Sequence, residues 1–379
     1  MSYRPARRAD FAVGLAATND LVDYWGELAW HANEVVPNLV HEEALLSRAL
    51  WVWEGAGEPT GPPADTERPS SARLLAELEM ESLRKLAIDG GALPANFLGL
   101  IWRRAQIIFE INTISPWHPL ALLAPGSQPS NALRNAYSTA LLADRMGSRL
   151  GLSQTQRHCA AAAALTMNWG ILQLQDRLSA SRGGPTSQDM QSIKDHPRAA
   201  AALLRERGLD NPDWLAAVEQ HHEEPDGRGY PNRLLENATT RGAQILRACD
   251  RYIALTASRR FRFGGKVSDA KERARFLIPE TGGLRAALLA ELGEHPPGGF
   301  WTDPNNGHIH ICLGRDPSGI ERAVSLSSMD SALPRPLAGL FEDSPRELSV
   351  PEHRTAVERL DALSWLNEAS YTPRQLHRQ

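Results

Sequence analysis

The sequence predicts a mainly α-helical protein with a small β unit near its C-terminus. From residue 131 to about 277, one helical pattern follows another, without the strand–helix–strand alternation of α/β folds. After Gly298 the pattern changes to short apolar alternations around an Asn306–Gly307 turn, which is typical of a β-hairpin. The 379 residues correspond to two or three domains at about 150 residues each.

The N-terminal part, residues 1–125, is predicted to be a helical region. The first 55 residues contain good helix formers at helical spacing in 39–50, and a further helix is expected over 95–112. The stretch 55–71 is rich in Gly, Pro and Ser, so it cannot continue a helix and indicates a linker or long loop.

The central part, residues 126–285, is predicted to be a helical bundle. Its expected helices are 131–150, 154–174, 187–207, 212–222 and 240–259. A small β unit is expected over 286–350, and an amphipathic helix and tail over 351–379.

Charge and cysteine content exclude several classes of protein. Lys and Arg number 41 against 45 Asp and Glu, and this near balance argues against a dedicated nucleic-acid binder. No apolar run reaches the length of about 18 residues that a membrane span needs, and we read no signal peptide. The three cysteines lie far apart without a CxxC motif, which favours a reducing compartment. We therefore expect a cytoplasmic protein.

The segment 221–231, His-His-Glu-Glu-Pro-Asp-Gly-Arg-Gly-Tyr-Pro, carries the strongest chemical signal. Trp214, Val218 and His221 share one helical face, which carries the histidine pair toward the core. Adjacent helical residues point about 100° apart. We therefore expect that His221 and His222 do not both ligate one small ion comfortably. The Gly and Pro residues that follow indicate a rigid turn beside the pair.

This segment resembles the signature HHExxDGxGYP of the HD-GYP family, a subgroup of the HD metal-dependent phosphohydrolases. The isolated His196–Pro197 pair and the helix around Asp250 match other parts of that family's pattern. The resemblance covers about 131–277. It implies an HD-domain helical bundle, cyclic di-GMP as ligand, and residual metal ligands at His196, His221, His222 and Asp250.

Several positions that the family uses for catalysis hold other residues here. The metal-binding HD dipeptide falls on Met167 and Asn168, and the phosphate-contacting Lys falls on Ile171. Other replaced positions are Asn131, Asn135 and Gln244. Asn168 is neutral and a poor bridge between two cations, and Met167 is a soft ligand. The resemblance therefore predicts no catalytic residues, and either no metal or a single divalent ion, iron or manganese.

The motif loop and a basic cluster are the predicted contact regions. In related proteins this loop is implicated in contacts with GGDEF-domain diguanylate cyclases. A purely structural turn is the alternative. The corresponding residues are Asp226, Gly227, Arg228, Gly229, Tyr230 and Pro231. Arg259 and Arg262 are either phosphate contacts or part of a solvated helix end.

The β unit offers one further pattern. His308, His310 and Cys312 alternate on one face of a predicted strand. This spacing suits either a zinc site or an exposed polar face.

The leading hypothesis is a catalytically degenerate HD-GYP protein, an adaptor or receptor in bacterial cyclic di-GMP signalling. The alternative is a metal-dependent cyclic di-GMP phosphodiesterase with a reduced metal site. A third hypothesis is a domain that oligomerises through residues 1–125, for instance as a homodimer.

Overall fold

The structure is a computed structural model of the whole chain. It describes residues 3–5, 10–23, 28–37, 50–54, 93–114, 120, 131–181, 184–256, 267–302, 307–315, 320–325, 335–336 and 346–347. The chain divides into two compact units, Met1–Ser70 and Ser71–Gln379. The predicted linker at 55–71 and the C-terminal segment 351–379 lie outside the described residues.

The first unit contains a four-stranded antiparallel sheet in the order β1-β4-β2-β3. Its strands are β1 (Tyr3–Pro5), β2 (Leu21–Asp23), β3 (Leu28–Trp30) and β4 (Leu50–Trp53). Phe11, Leu21, Val36 and Val52 form its small buried core. The prediction that the first 55 residues are helical is therefore wrong for the described part, because sheet pairing between distant short segments decides their conformation.

The second unit is mainly α-helical, which confirms the predicted fold class. Its helices are α1 (Phe97–Ile114), α2 (Asn131–Arg149), α3 (Gln154–Thr166), α4 (Leu172–Ala180), α5 (Ser187–Glu206), α6 (Pro212–Gln220), α7 (Arg241–Thr256), α8 (Val267–Leu277) and α9 (Leu284–Leu292). The predicted domain boundaries at residues 125, 285 and 350 stay predictions.

Helix α3 lies at the centre of the bundle. It packs against α1, α2, α6 and α7, and every residue from His158 to Thr166 is buried. The run Ala160–Ala164 brings small side chains to all sides, which lets several helices approach closely. A helix that is buried all round needs no amphipathic pattern.

Local sequence signals fix where the helices around the site begin. Ser153 and Gln156 form a reciprocal capping box at α3, and Thr186 does the same for α5 with Asp189. At α6, the Asn211 side chain accepts a hydrogen bond from the backbone N–H of Trp214, and a proline follows at the first helical position. These caps fix the N-terminal ends of α3, α5 and α6.

The predicted C-terminal β unit is confirmed as an antiparallel sheet in the order β8-β7-β6-β5-β9. Its strands are β5 (Phe300–Thr302), β6 (Ile309–Arg315), β7 (Glu321–Ser325), β8 (Arg335–Pro336) and β9 (Arg346–Glu347). Strands β5 and β6 form the predicted hairpin, with Phe300 opposite Ile311. Within the described ranges, no helix is both long and apolar enough to cross a membrane.

Candidate metal centre

Three of the four predicted residual ligands lie together where α5 meets the end of α6. His196, His221 and His222 each offer one ring nitrogen, and these nitrogens all lie within 4.8 Å of one another. His196 and His221 are buried, and His222 is half-buried. We call these three residues the histidine cluster.

The proline after His196 explains how that imidazole is oriented. A helical residue normally donates its N–H to the carbonyl four residues earlier, and Pro197 has none to give to Ile193. The Ile193 carbonyl instead accepts a hydrogen bond from Nδ1 of His196, at 2.6 Å. The His-Pro pair therefore leaves Nε2 of His196 facing the cluster.

The end of helix α6 orients the second imidazole in the same way. The last carbonyls of a helix have no intrahelical partner, and Val218 accepts a hydrogen bond from Nδ1 of His221 at 2.7 Å. The helix ends at Gln220, so His222 lies in the following turn. Its ring centroid is 4.1 Å from that of His221. The expectation that these two imidazoles point too far apart for one ion is therefore wrong, because they do not share a regular helix.

The two oriented rings face each other in a way that fits a bound cation. A carbonyl oxygen only accepts, so Nδ1 carries the proton in both His196 and His221. Their Nε2 atoms, which then carry lone pairs, are 3.1 Å apart. Burial lowers the pKa of His196 to about 4 and that of His221 to about 3. Two bonds of about 2.1 Å from imidazole nitrogens to one ion accommodate such a spacing.

The fourth predicted ligand, Asp250, does not belong to the histidine cluster. It lies on α7 and raises the pKa of the Tyr230 hydroxyl, although burial of the tyrosine has the larger effect. The Tyr230 ring lies against His222, with centroids 4.7 Å apart. Tyr230 therefore lies near both His222 and Asp250.

The positions that the family uses for the HD dipeptide are buried. Met167 has no exposed surface and Asn168 is 6% exposed, and a short 3-10 helix, Trp169–Ile171, follows them. Asn135 lies in the first turns of α2 and is half-buried. Gln244, in the first turn of α7, donates hydrogen bonds to the Glu236 and Thr239 carbonyls. This glutamine therefore has a structural role in the turn that precedes its helix.

The motif loop is held against the cluster by close backbone packing. A Cβ on Gly229 would collide with the backbone nitrogen of Glu224 and lie 2.5 Å from the carbonyl oxygen of His222. The buried carboxylate of Glu223 accepts hydrogen bonds from the backbone N–H groups of Asn232, at 2.6 Å, and Leu234, at 2.8 Å. The third residue of the motif thus holds both sides of the loop in one conformation.

Two arginines of α7 hold the loop from the other side, and sequence reasoning missed them. Glu224 accepts a hydrogen bond from Arg247 at 2.7 Å and another from Arg251 at 2.6 Å. Arg251 also lowers the pKa of His222, after burial and the other two histidines. Arg251 follows Asp250 directly in the sequence, so its place on the Asp helix was the available signal.

The predicted contact residues divide into a described and an undescribed set. In the loop, the side chains of Asp226 and Arg228 are 58% and 88% exposed. Tyr230 and Pro231 are half-buried, and their peptide bond is cis. Arg259 and Arg262 lie outside the described residues.

The zinc alternative in the β unit gains no support. The histidine cluster is the one group of potential metal ligands in the parts of the chain that the structure describes. His310 and Cys312 are buried, so the exposed-face interpretation is also wrong for these two. The Cys312 thiol lies 3.0 Å from the carbonyl oxygen of His295 and donates to it.

Comparison with known proteins agrees with this geometry. A family model of the HD domain matches residues 123–272. The chain carries an HD domain of the HD-GYP type. This confirms the resemblance that the motif predicted.

Two curated proteins are similar to part of this chain. The chain is 29% identical over 123 residues to the cyclic di-GMP phosphodiesterase response regulator RpfG of Xanthomonas campestris, which covers 32% of this chain and 32% of the relative. It is 25% identical over 172 residues to the cyclic di-GMP phosphodiesterase PA4108 of Pseudomonas aeruginosa, covering 45% and 42%. The chain thus spans less than half the length of either relative. Both relatives carry the name cyclic di-GMP phosphodiesterase, and their similarity to this chain supports its assignment as an HD-GYP domain protein.

One solved structure is weakly similar to this chain in sequence and in fold. Bd1817, a HDG"Y"P protein from Bdellovibrio bacteriovorus, matches with a TM-score of 0.47 and 11% identity. The match covers 76% of this chain and 98% of that chain.

Proposed function

We propose that this chain is a catalytically degenerate HD-GYP protein, which acts in the bacterial cytoplasm as an adaptor or receptor in cyclic di-GMP signalling. What supports the proposal is the burial of Met167 and Asn168, the pair on which the family resemblance places the metal-bridging dipeptide. The histidine cluster is retained in the same chain.

The chemistry of the replaced side chains supports the absence of hydrolysis. A bridging carboxylate neutralises two cations and holds an activated water between them. The Asn168 amide is neutral, and the thioether of Met167 is a poor ligand for a hard, oxygen-preferring ion. Ile171 offers no charge to a phosphate in the transition state. The side chains needed for a two-metal hydrolytic centre are therefore replaced.

The remaining donor set fits one divalent ion. His196, His221 and His222 would hold it, and imidazole donors suit iron and zinc. When bound, the ion would supply Lewis acidity and a fixed link between α5 and the loop. Since Tyr230 packs on His222, this ion would also order the motif loop.

The shape of the loop supports a role in protein contacts. Gly229 and Glu223 fix the backbone, while the Arg228 side chain is 88% exposed. A rigid loop that presents an exposed arginine loses little conformational entropy on binding. We propose a GGDEF-domain diguanylate cyclase as its partner.

Co-purification with a tagged GGDEF-domain cyclase tests this role. The chain is expected to retain the cyclase, and Arg228→Ala is expected to release it. Arg285→Gln is the matched control, because Arg285 is also a partly exposed arginine in an ion pair but lies on α9. Equal retention by all three proteins would rule out the adaptor role of this loop.

The alternative function is a cyclic di-GMP phosphodiesterase with a reduced metal site. The observation that favours it is the histidine cluster itself, since three donors with correctly placed nitrogens are retained. Linear product that depends on added metal and disappears in His221→Ala would establish this alternative.

A further inference from the structure

A polar pocket lies at the C-terminal end of helix α2. Its volume is about 570 Å³, within the range of small-molecule sites. We call it the arginine pocket. The residues of its wall that matter here are Phe109, Asn112, Arg145, Arg149, Arg157 and Glu291, from helices α1, α2, α3 and α9. None of them belongs to the histidine cluster.

Two arginines, one helical turn apart, share a single carboxylate in this pocket. Nε of Arg145 and Nε of Arg149 each donate to one oxygen of Glu291, both at 2.7 Å. A guanidinium has five N–H donors, so one edge of each group is used. The terminal nitrogens of Arg145 and Arg149 donate to no residue that the structure describes. Two guanidinium groups thus share one carboxylate, and their terminal N–H groups remain available as donors.

A third guanidinium stands on an aromatic ring in the same pocket. Arg157 is paired with the buried carboxylate of Asp144, at 2.8 Å. Its guanidinium carbon lies 4.9 Å from the centroid of the Phe109 ring. The pocket therefore holds three guanidinium groups against two carboxylates, and an aromatic ring lies under one of these groups.

An unpaired acceptor completes the pocket. The amide nitrogen of Asn112 donates to Asp144 at 2.7 Å and to the Leu141 carbonyl at 3.1 Å, which fixes the orientation of the amide. Its oxygen Oδ1 is buried and has no hydrogen-bond partner among the described residues. A buried acceptor in this state costs free energy until a donor reaches it.

We propose that the arginine pocket binds a phosphate-bearing nucleotide. The fork of a guanidinium matches two phosphate oxygens, and two forks one turn apart match one phosphate group. Arg157 lies on the Phe109 ring, and a guanidinium plane held in this way offers a stacking surface for a base. This site is independent of the metal centre and goes beyond the proposed signalling role.

Calorimetric titration of the full chain in chelator tests the proposal, with guanosine monophosphate and inorganic pyrophosphate as probes. The chain is expected to bind the nucleotide at least about tenfold more tightly than Arg149→Gln does, which corresponds to one lost charge-assisted contact. Arg285→Gln is expected to bind like the unchanged chain.

A second variant separates a ligand site from a structural ion pair. Glu291→Gln keeps the shape of the side chain and removes the charge that competes with a phosphate. The proposal expects tighter nucleotide binding by this variant, about threefold or more. If the ion pairs of Glu291 only join α2 and α9, Glu291→Gln lowers the stability of the chain and does not raise its affinity for the nucleotide.

The remaining outcomes decide the class of ligand. Phe109→Leu is expected to weaken the nucleotide and leave pyrophosphate unchanged. The proposal is overturned if neither probe saturates the unchanged chain at millimolar concentration, or if pyrophosphate binds as tightly as the nucleotide. Binding that disappears in His221→Ala and survives in Arg149→Gln would also contradict it.

Discussion

The two halves of the candidate metal centre differ in what the chain has kept. On one side, His196 and His221 are buried and oriented by backbone carbonyls, and the loop packs tightly against His222. On the other side, the resemblance predicts the bridging dipeptide at Met167 and Asn168, which are buried and carry no charge.

This difference teaches that ligand placement and hydrolytic chemistry depend on separate parts of the fold. The histidines are positioned by a proline, a helix end and a glycine-containing loop, all within 193–231. The dipeptide position lies at the end of α3, in another segment of the chain. Substitution at one side therefore leaves the geometry of the other intact.

The largest expected effect is a difference in stability between alanine substitutions at Gly229, in the motif loop, and at Gly170, after the dipeptide position. In Gly229→Ala the new methyl group collides with the backbone of Glu224, and we expect a loss of stability of at least about 3 kcal/mol. Gly170→Ala is the control, because nothing lies within 4 Å of its Cβ position, and it is expected to cost less than about 1 kcal/mol. Denaturant unfolding measures both, and similar values would contradict the account.

Acid sensitivity of the metal-free chain is the next largest effect. Burial lowers the pKa of His196 to about 4, below the value of about 6.5 that an unfolded chain has. The unfolded state therefore binds more protons between these values, so stability is full above pH 6.5 and is lost as the pH falls toward 4. The loss for His196 alone is about 3 kcal/mol.

Unfolding free energies measured in chelator across this pH range check the prediction. His196→Asn removes the titrating group, so its stability is expected to vary less steeply with pH. An equal slope in both proteins would show that His196 is not the group responsible.

Metal binding gives a somewhat smaller effect that sharpens the comparison. Ferrous iron or zinc at a hundredfold excess over its dissociation constant is expected to stabilise the chain by about 2.7 kcal/mol. His221→Ala is expected to abolish this gain, because the His221 ring supplies one nitrogen of the cluster. Asn168→Ala is expected to preserve the gain, because Asn168 does not belong to the cluster. Thermal unfolding with and without metal measures the difference, and loss of the gain in Asn168→Ala would contradict it.

The smallest expected effect on stability is that of Arg228→Ala. The side chain is 88% exposed, and its ion pair with Asp226 is long, at 3.6 Å. Such surface pairs contribute little, so we expect a change below about 0.5 kcal/mol. Thermal unfolding that shows a larger loss would mean that weaker partner capture by this variant reflects a damaged loop.

Much of the helical bundle was predictable, and the N-terminal unit was not. The pattern over 131–150 is amphipathic and ends near Gly151, so the prediction came within one residue of α2. Strands such as Leu21–Asp23 and Leu28–Trp30 have three residues each. Segments this short cannot show a reliable alternation, and the pairing of β2 with β3 and β4 is invisible in local sequence.

The site shows the same division between local and long-range signals. The motif predicted which histidines meet, but the position of the helix end decided their geometry. Ending α6 at Gln220, and not at 222, changes the relation between His221 and His222. The ion pairs of Glu224 with Arg247 and Arg251 join residues more than 20 positions apart, so no local sequence pattern predicts them.

The rate of linear product formation from cyclic di-GMP tests the central claim most directly. The unchanged chain and a Met167→His, Asn168→Asp double variant are both prepared anaerobically with ferrous iron or manganese. We predict no product from the unchanged chain and measurable product from the double variant, because the variant restores the bridging carboxylate to an intact histidine cluster. Turnover by the unchanged chain that vanishes in His221→Ala would contradict the claim, and would show that the three histidines suffice.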